Sequence, residues 1–331
     1  MSFLEVSNIS LVISGKSILG SVTLNVEKGE VFCICGESGA GKTTLLKLIA
    51  GLEEPDAGNI RLNNTLVTGP SQNLVPGHPD IVMVFQDTKL SPNRTVEENI
   101  AWELRSYPKD IQIQRTGELL EKWQLEKLRK LFPRDISGGE KQKTALARAI
   151  AKNPLLLLLD EPFSNMDFLL KNELREELLV ITKEEDITTL FVTHDTKEAL
   201  SIAERIAVIR EGNILQTDTP KAIYDHPASA YVADFFGAEN LIRTEYLRPY
   251  FSISKDAKQA AIRAEDIVLT GTGNFLTGKV TSSIYYGFYQ LLCVQIDDNL
   301  SLQVSINKDK NFKINEVINL YLPEEKIILF S

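Results

Sequence analysis

The sequence predicts an α/β fold, a mostly parallel sheet covered by helices, followed by a small all-β unit. Two observations give the first part. Up to about residue 237, short β-rich runs alternate with helical patterns. The runs at 155–159 and 189–193 are almost wholly apolar, as strands covered on both faces must be. A third observation gives the second part: from Ala238 onward the texture changes to short alternating runs separated by Gly and Asn-Asp turns, the pattern of a small barrel or sandwich.

Taken in order, residues 31–35 form the first expected strand and run into a glycine-rich stretch that opens a helix at 42–50. A second strand is expected at 81–85, with helical patterns at 117–131 and 141–151 after it. An unbroken leucine run makes the strand at 155–159, a helix follows at 168–184, and β-branched and apolar residues place a strand at 189–193. A helix at 196–203, a strand at 206–210 and a hairpin turn at Glu211-Gly212-Asn213 complete the alternation. Pro220, Pro227 and Gly237 punctuate short helical pieces at 222–224 and 231–236. In the tail, strands are expected at 260–262, 278–282, 290–296, 300–306 and 317–322. No internal repeat or low-complexity stretch interrupts this order.

Composition narrows the function classes. The 331 residues suggest two domains, and 43% apolar with 24% charged residues is the make-up of a globular protein with ample core. The longest apolar runs, such as 155–159, fall far short of the roughly 20 residues that a membrane span needs. The first residues, Met-Ser-Phe-Leu-Glu-Val-Ser, carry no basic stretch before an apolar core, so no signal peptide and a cytoplasmic site are expected. A formal charge of -9 argues against nucleic acid as a main partner, and the nearly neutral tail lacks the basic groove of an oligonucleotide-binding barrel. Three cysteines, an odd number, suit a reducing compartment. Cys33 and Cys35 fall on one face of a strand and read as core residues rather than a metal pair.

The chemistry begins at the end of the first strand. Gly36-Glu37-Ser38-Gly39-Ala40-Gly41-Lys42-Thr43 fits the phosphate-binding pattern Gly-x4-Gly-Lys-Thr in full, between a strand and a helix. Glycines let the backbone wrap a polyphosphate while loop and helix amides point inward as donors. Lys42 is expected to reach the β- and γ-phosphates, Thr43 to hold Mg²⁺ and Thr44 to touch the α-phosphate. The leucine strand ends in Asp160-Glu161, two carboxylates at the edge of the sheet where ligands bind in open α/β folds. Asp160 suits the metal shell, and Glu161 suits orienting or deprotonating a water.

Ser137-Gly138-Gly139-Glu140 fits a capping box that opens a helix. A capped helix start preceded by glycines is also an anion site, able to face a γ-phosphate with Ser137 and backbone amides. The phosphate loop lies about 100 residues earlier and on a separate helical segment, so a second subunit is implied. Gln86 and His194 each follow a strand. Their shared place beside the other motifs raises both above ordinary structural hydrogen-bonders.

In this order the motifs over residues 3–237 resemble the ATP-binding subunits of ABC transporters: Walker A at 36–43, the Gln-loop at Gln86, the signature at 137–140, Walker B ending in Asp160 and Glu161, the D-loop Ser164-Asn165-Met166-Asp167 and the switch His194. The tail, with Gly237-Ala238-Glu239-Asn240 and Ile262-Arg263-Ala264-Glu265-Asp266, is similar to the transport-associated OB-like domain of importer ATPases. The resemblance implies an α/β P-loop ATPase domain over 1–237, with a helical subdomain at about 88–152, and an OB-like barrel over 238–331. It implies a head-to-tail homodimer with two ATP molecules, each held between one subunit's Gly36 to Thr44 and the other's Ser137, Gly138, Gly139 and Glu140. Thr43, Asp160 and Gln86 would surround Mg²⁺, Glu161 would activate water, His194 would stabilise the γ-phosphate, and Asp167 would couple the two sites.

The implied partners are integral-membrane permease subunits and a substrate-binding protein, with the chain peripheral on the cytoplasmic face and no nucleic acid bound. Gln86 and residues 87–93 would lie near the groove that receives a permease helix. Polyamine, ferric-ion, sulfate or molybdate and sugar importers share this layout, and the short single tail makes an inorganic ion or a polyamine the expected cargo. Competing readings are a non-transport ATPase working on nucleic acid or ribosomes, and a regulatory nucleotide-binding module. The first usually carries coiled-coil insertions or a second nucleotide domain, and the second should have lost Glu161 or His194. Three departures from the family stand out: Val12-Ile13-Ser14 replaces an aromatic residue at the adenine, Glu140 replaces a glutamine, and Ala264 replaces a frequent proline.

Overall fold

The computed structural model describes residues 2–164, 166–269 and 275–331, so Asn165 of the expected D-loop lies outside the described residues. The chain divides into two compact units, Met1–Lys221 and Ala222–Ser331. The boundary expected after residue 237 lies beyond two short helices that the structure groups with the second unit.

The first unit opens with an antiparallel sheet that the sequence pattern did not reveal. It is built from β1 (Leu4–Ile13), β2 (Lys16–Val26), β4 (Ala57–Leu62) and β5 (Thr65–Leu66), in the order β2-β1-β4-β5. The alternation is hidden because the β1–β2 pairing shifts register three times, with Asn8 and Ser21 at positive φ. Between these strands, β3 (Val31–Cys35) runs into α1 (Lys42–Ile49).

The rest of the unit follows the expected alternation. It comprises β6 (Ile81–Val84), α2 (Val96–Ala101), α3 (Lys109–Lys122), α4 (Gly138–Ile150), β7 (Leu156–Asp160), α5 (Phe168–Glu184), β8 (Thr188–Thr193), α6 (Thr196–Ile202), β9 (Arg205–Arg210) and β10 (Asn213–Asp218). One helix is displaced. The expected 117–131 helix lies at Lys109–Lys122, because Pro108 caps its start and Gln124 at φ 57 ends it, while Gly117 sits inside it with open space around it. The hairpin at Glu211-Gly212 is as expected, with φ of 48 and 75 and Arg210 paired to Asn213.

Strand order β10-β9-β3-β8-β7-β6 positions the site. The pairs β3–β8, β8–β7 and β7–β6 are all parallel, so four carboxyl ends fall on one edge of the sheet. The leucine strand β7 is buried along its whole length, and Leu156 and Leu158 join Phe32, Ile34, Leu45 and Ile49 in a continuous core. Cys33 and Cys35 are fully buried, and burial pushes the Cys33 thiol well above its ordinary pKa. At the far end of the unit, Glu185 takes a bidentate bond from Arg115 (3.1 and 2.8 Å) and another from Lys122 (2.5 Å), tying α3 to the end of α5. Burial alone would raise the Glu185 carboxyl, but these bonds outweigh it and hold it below the ordinary range.

The second unit takes up α7 (Pro220–Asp225) from Ala222 onward, and α8 (Ala230–Phe235) then leads to β11 (Asn240–Arg243), α9 (Thr244–Leu247) and β12 (Gln259–Ile262). Next come β13 (Val268–Leu269), β14 (Leu276–Tyr285), β15 (Tyr289–Gln295), β16 (Ser301–Asn307), β17 (Val317–Tyr321) and β18 (Ile328–Phe330). Five of these strands form the antiparallel order β13-β17-β14-β15-β16, a nearly closed barrel around Val280, Leu292, Val294, Leu302, Val304 and Leu320. Arg263 is buried. It donates to the carbonyls of Phe236 (3.1 Å) and Tyr224 (2.7 Å), which fastens α7 and α8 to this unit. Ala264 uses the amide that a proline would lack, donating to Glu239 at 3.3 Å.

Candidate nucleotide site

The loop 36–43 leaves β3 through a backbone that favours glycine at three places. A Cβ on Gly36 would stand 2.2 Å from the Ile209 carbonyl oxygen, and Gly39 and Gly41 lie at φ 83 and 100. Glu37, Ser38 and Gly39 form an exposed rim while Ala40 is buried beneath it. No side chain caps α1, so its first amides at Lys42, Thr43 and Thr44 form a free anion-binding end. Lys42 is 5% exposed and curls under the loop, donating from Nζ to the carbonyls of Gly36 (2.7 Å) and Glu37 (2.9 Å). Desolvation pulls its pKa down, and the carboxylates of Glu161 and Asp160 oppose that pull.

The loop is joined to the leucine strand. Thr43 Oγ1 donates to Asp160 Oδ1 at 2.9 Å, bridging across β8, which separates β3 from β7. Burial raises the Asp160 carboxyl, and the Thr43 bond partly lowers it again. Glu161 leaves the strand at φ 47, a conformation that is uncommon for a non-glycine residue and is held here by its amide bond to the Val192 carbonyl (3.1 Å). Its carboxylate meets the ring of His194, with Oε1 3.0 Å from Nδ1. Ser164 closes the group: its hydroxyl donates to the Glu161 carbonyl at 2.9 Å and accepts from Gln86 Nε2 at 3.4 Å. Lys42, Thr43, Asp160, Glu161, Gln86 and His194 are thus assembled at one sheet edge.

Ser164 was legible as part of the D-loop stretch, but its bonds to Gln86 and Glu161 were not. Two supporting residues escaped the sequence reading altogether, and both hold the His194 loop: buried Glu198 accepts from Thr193 Oγ1 (2.6 Å) and from Lys171 Nζ (2.6 Å), and Lys171 also reaches Asp195 (3.4 Å). Asp195 caps α6, which was readable as a helix start, but a buried acid facing a lysine on another helix leaves no mark in sequence spacing.

Ser137 and Glu140 bond to each other. Ser137 Oγ accepts from the Glu140 amide (3.3 Å), and Glu140 Oε2 accepts from the Ser137 amide (2.7 Å). The helix therefore starts at Gly138, earlier than the expected 141. Asp167 likewise caps α5, accepting from the Leu170 amide at 3.0 Å. At the tip of β1, Val12 and Ile13 are about half exposed beside the Ser14-Gly15 turn, an apolar surface without a ring to stack on a base.

Because Glu140 spends its carboxylate on the cap, a glutamine can replace it without losing the acceptor. Glu140→Gln is therefore expected to leave ATP turnover equal or raised, measured as phosphate release. A large loss would show that the charge itself is needed.

A phosphate loop, a buried aspartate beside its threonine, and a glutamate paired with a histidine at parallel strand ends define a nucleoside-triphosphate hydrolase of the P-loop class. The family model described as ABC transporter matches residues 19–164, and that described as TOBE domain matches residues 260–330. Across most of its length the chain is similar to the sulfate/thiosulfate import ATP-binding protein CysA of Thermosynechococcus vestitus, 35% identical over 93% of this chain and 91% of that protein. It is 33% identical to the spermidine/putrescine import ATP-binding protein PotA of Nitrosomonas eutropha, over 98% of each. A solved dimeric ATP-binding cassette in a post-hydrolysis state, bound to ADP and Pi, covers 66% of this chain and 98% of its own at a TM-score of 0.57 and 28% identity. The chain belongs to the ATP-binding subunits of the ABC transporter family, and it is an ATPase of that family. No helix among the described residues is long and apolar enough to cross a membrane.

Proposed function

We propose that this chain energises a binding-protein-dependent importer for an inorganic ion or a polyamine. The observation that carries the reading is the Thr43–Asp160 bond of 2.9 Å, which brings a hydroxyl and a desolvated carboxylate together beside Lys42. Hard oxygen donors of this kind fit Mg²⁺, with Gln86 as a further oxygen from the neighbouring strand end. When bound, the ion supplies charge neutralisation on the β- and γ-phosphates. Lys42 turns its ammonium from the loop carbonyls to those phosphates, and the free amides of α1 hold their oxygens. Glu161 takes the proton of the attacking water, and His194 orients Glu161 through Nδ1 while standing next to the γ-phosphate.

The signature supports a two-chain site. Ser137, Gly138 and Gly139 form a capped helix start whose bonds are internal, suited to an anion from elsewhere, and the solved relative is a dimer. Two copies head to tail would thus enclose two ATP molecules, with Asp167 near the joint. An apolar groove of about 600 Å³ lined by Leu52, Leu74, Val75, Met83 and Phe85 adjoins Gln86 and suits a permease helix, which would hold the chain at the cytoplasmic membrane face. The test is co-purification from native membranes. An integral-membrane permease and a binding protein for an oxyanion, metal ion or polyamine are expected with it, and a soluble ribosomal or nucleic-acid complex would contradict the reading.

A further inference from the structure

One side chain outside the site joins two of its parts. Arg148, near the carboxyl end of α4, donates from Nη1 to the Lys89 carbonyl (2.9 Å) and from Nη2 to the Thr88 carbonyl (3.0 Å). These carbonyls lie two and three residues after Gln86, in the segment that leaves β6. The segment has a tight conformation: Lys89 is at φ 46, and its ammonium folds back to 3.6 Å from the centre of the Phe85 ring. Its other end is also held by a side chain. Asn99 of α2 is buried, accepts from the Ser91 amide (2.8 Å) and donates to the carbonyls of Ser91, Arg94 and Thr95.

Helix α4 carries Ser137–Glu140 at its start and Arg148 ten residues beyond Gly138, about 15 Å along a rigid rod. Between them the helix is almost entirely buried, and α2 packs against it. A displacement at the signature end is therefore carried to the guanidinium, and through two parallel bonds to the backbone of 88–89. The fork is suited to this task because it grips two successive carbonyls at once, which an ammonium on a flexible stem cannot do with the same geometry. Burial makes the guanidinium costly to leave unpaired, which keeps the grip closed, and it pulls the pKa of Arg148 down.

We propose that Arg148 is a positioning residue for coupling: it ties residues 87–93 to the signature end of α4, so that nucleotide held at Ser137–Gly139 sets the position of Gln86 and of the surface offered to the permease. The inference rests on the transporter reading above for its partner, but its mechanical part concerns this chain alone.

The experiment compares the parent, Arg148→Lys and Arg148→Met in two settings. In the first, the full chain carries Glu161→Gln, and hydrogen exchange of the amides of residues 87–91 and 93 is followed with and without Mg-ATP. The parent is expected to change protection on ATP addition, Arg148→Met to lose that change although ATP still binds, and Arg148→Lys to keep part of it. An undiminished ATP-dependent change in Arg148→Met overturns the proposal. In the second setting, with Glu161 intact, hydrolysis is measured for the chain alone and in its complex with permease and loaded binding protein. Basal turnover is expected within twofold of the parent, while the stimulation factor falls at least tenfold in Arg148→Met and less in Arg148→Lys. Equal losses of basal and stimulated rates, with the stimulation factor retained, would mark Arg148 as merely structural and overturn the proposal. If the parent itself shows no stimulation, the transporter reading fails, and the exchange experiment still decides the role of Arg148.

Discussion

Glu161→Gln is expected to slow ATP hydrolysis by about 10²–10⁴-fold, the range over which a positioned general base acts, while ATP binding survives. The glutamine keeps the size of the side chain and an acceptor oxygen for His194 Nδ1, which lies 3.0 Å from the carboxylate, but it cannot take up a proton. The strained φ of 47 and the amide bond to Val192 belong to the backbone, so the substitution leaves the turn in place. Phosphate release and equilibrium binding of a fluorescent ATP analogue separate the two effects. Turnover at the parental rate would show that Glu161 does not handle the water.

Lys42→Ala is expected to weaken ATP affinity by roughly 10–100-fold, from the loss of charge-assisted bonds of about 1.5–3 kcal/mol. Without nucleotide the ammonium is buried against two carbonyls of its own loop at 2.7 and 2.9 Å, with its pKa pulled down by desolvation. It contributes little net stability in that state, so the thermal midpoint of the nucleotide-free chain should move by only a few degrees. Titration calorimetry and a melting curve check the pair of results. An unchanged ATP affinity would place the phosphates elsewhere.

What the sequence disclosed depended on the kind of signal each feature leaves. The phosphate loop, Asp160-Glu161 and the capping box at Ser137 carry their chemistry in consecutive residues, and each was legible because a strand or helix boundary falls inside the motif. Gln86 and His194 were legible only as strand ends, and the parallel order of β6, β7, β8 and β3 is what gives their position meaning. Tertiary partners left no trace. Gln86 reaches Ser164 and Lys171 reaches Glu198 through contacts between residues far apart in sequence.

The fold shows the same division. Strands buried on both faces were found to within a residue or two, because an apolar run such as 155–159 admits few alternatives. The sheet of β1, β2 and β4 was not visible, since bulges break its period of two. The helix expected at 117–131 was misplaced because Gly117 looks like a boundary, whereas Pro108 and Gln124 set the ends. The Glu140 departure, read from the sequence as a glutamine replaced within a capping box, has a structural use: the carboxylate is turned back into the helix cap.

Completion of one chain's phosphate loop by another chain's signature is tested most directly by sedimentation of the Glu161→Gln protein. With Mg-ATP the protein is expected to sediment at twice the monomer mass and with ADP at the monomer mass. Adding Gly138→Asp supplies the control. A side chain at Gly138 meets nothing within 4 Å among the described residues of its own chain, so the monomer should fold and bind ATP, yet the new carboxylate would face the partner's γ-phosphate and prevent pairing. A Glu161→Gln protein that stays monomeric at saturating Mg-ATP, or a Gly138→Asp variant that dimerises equally well, would contradict the account.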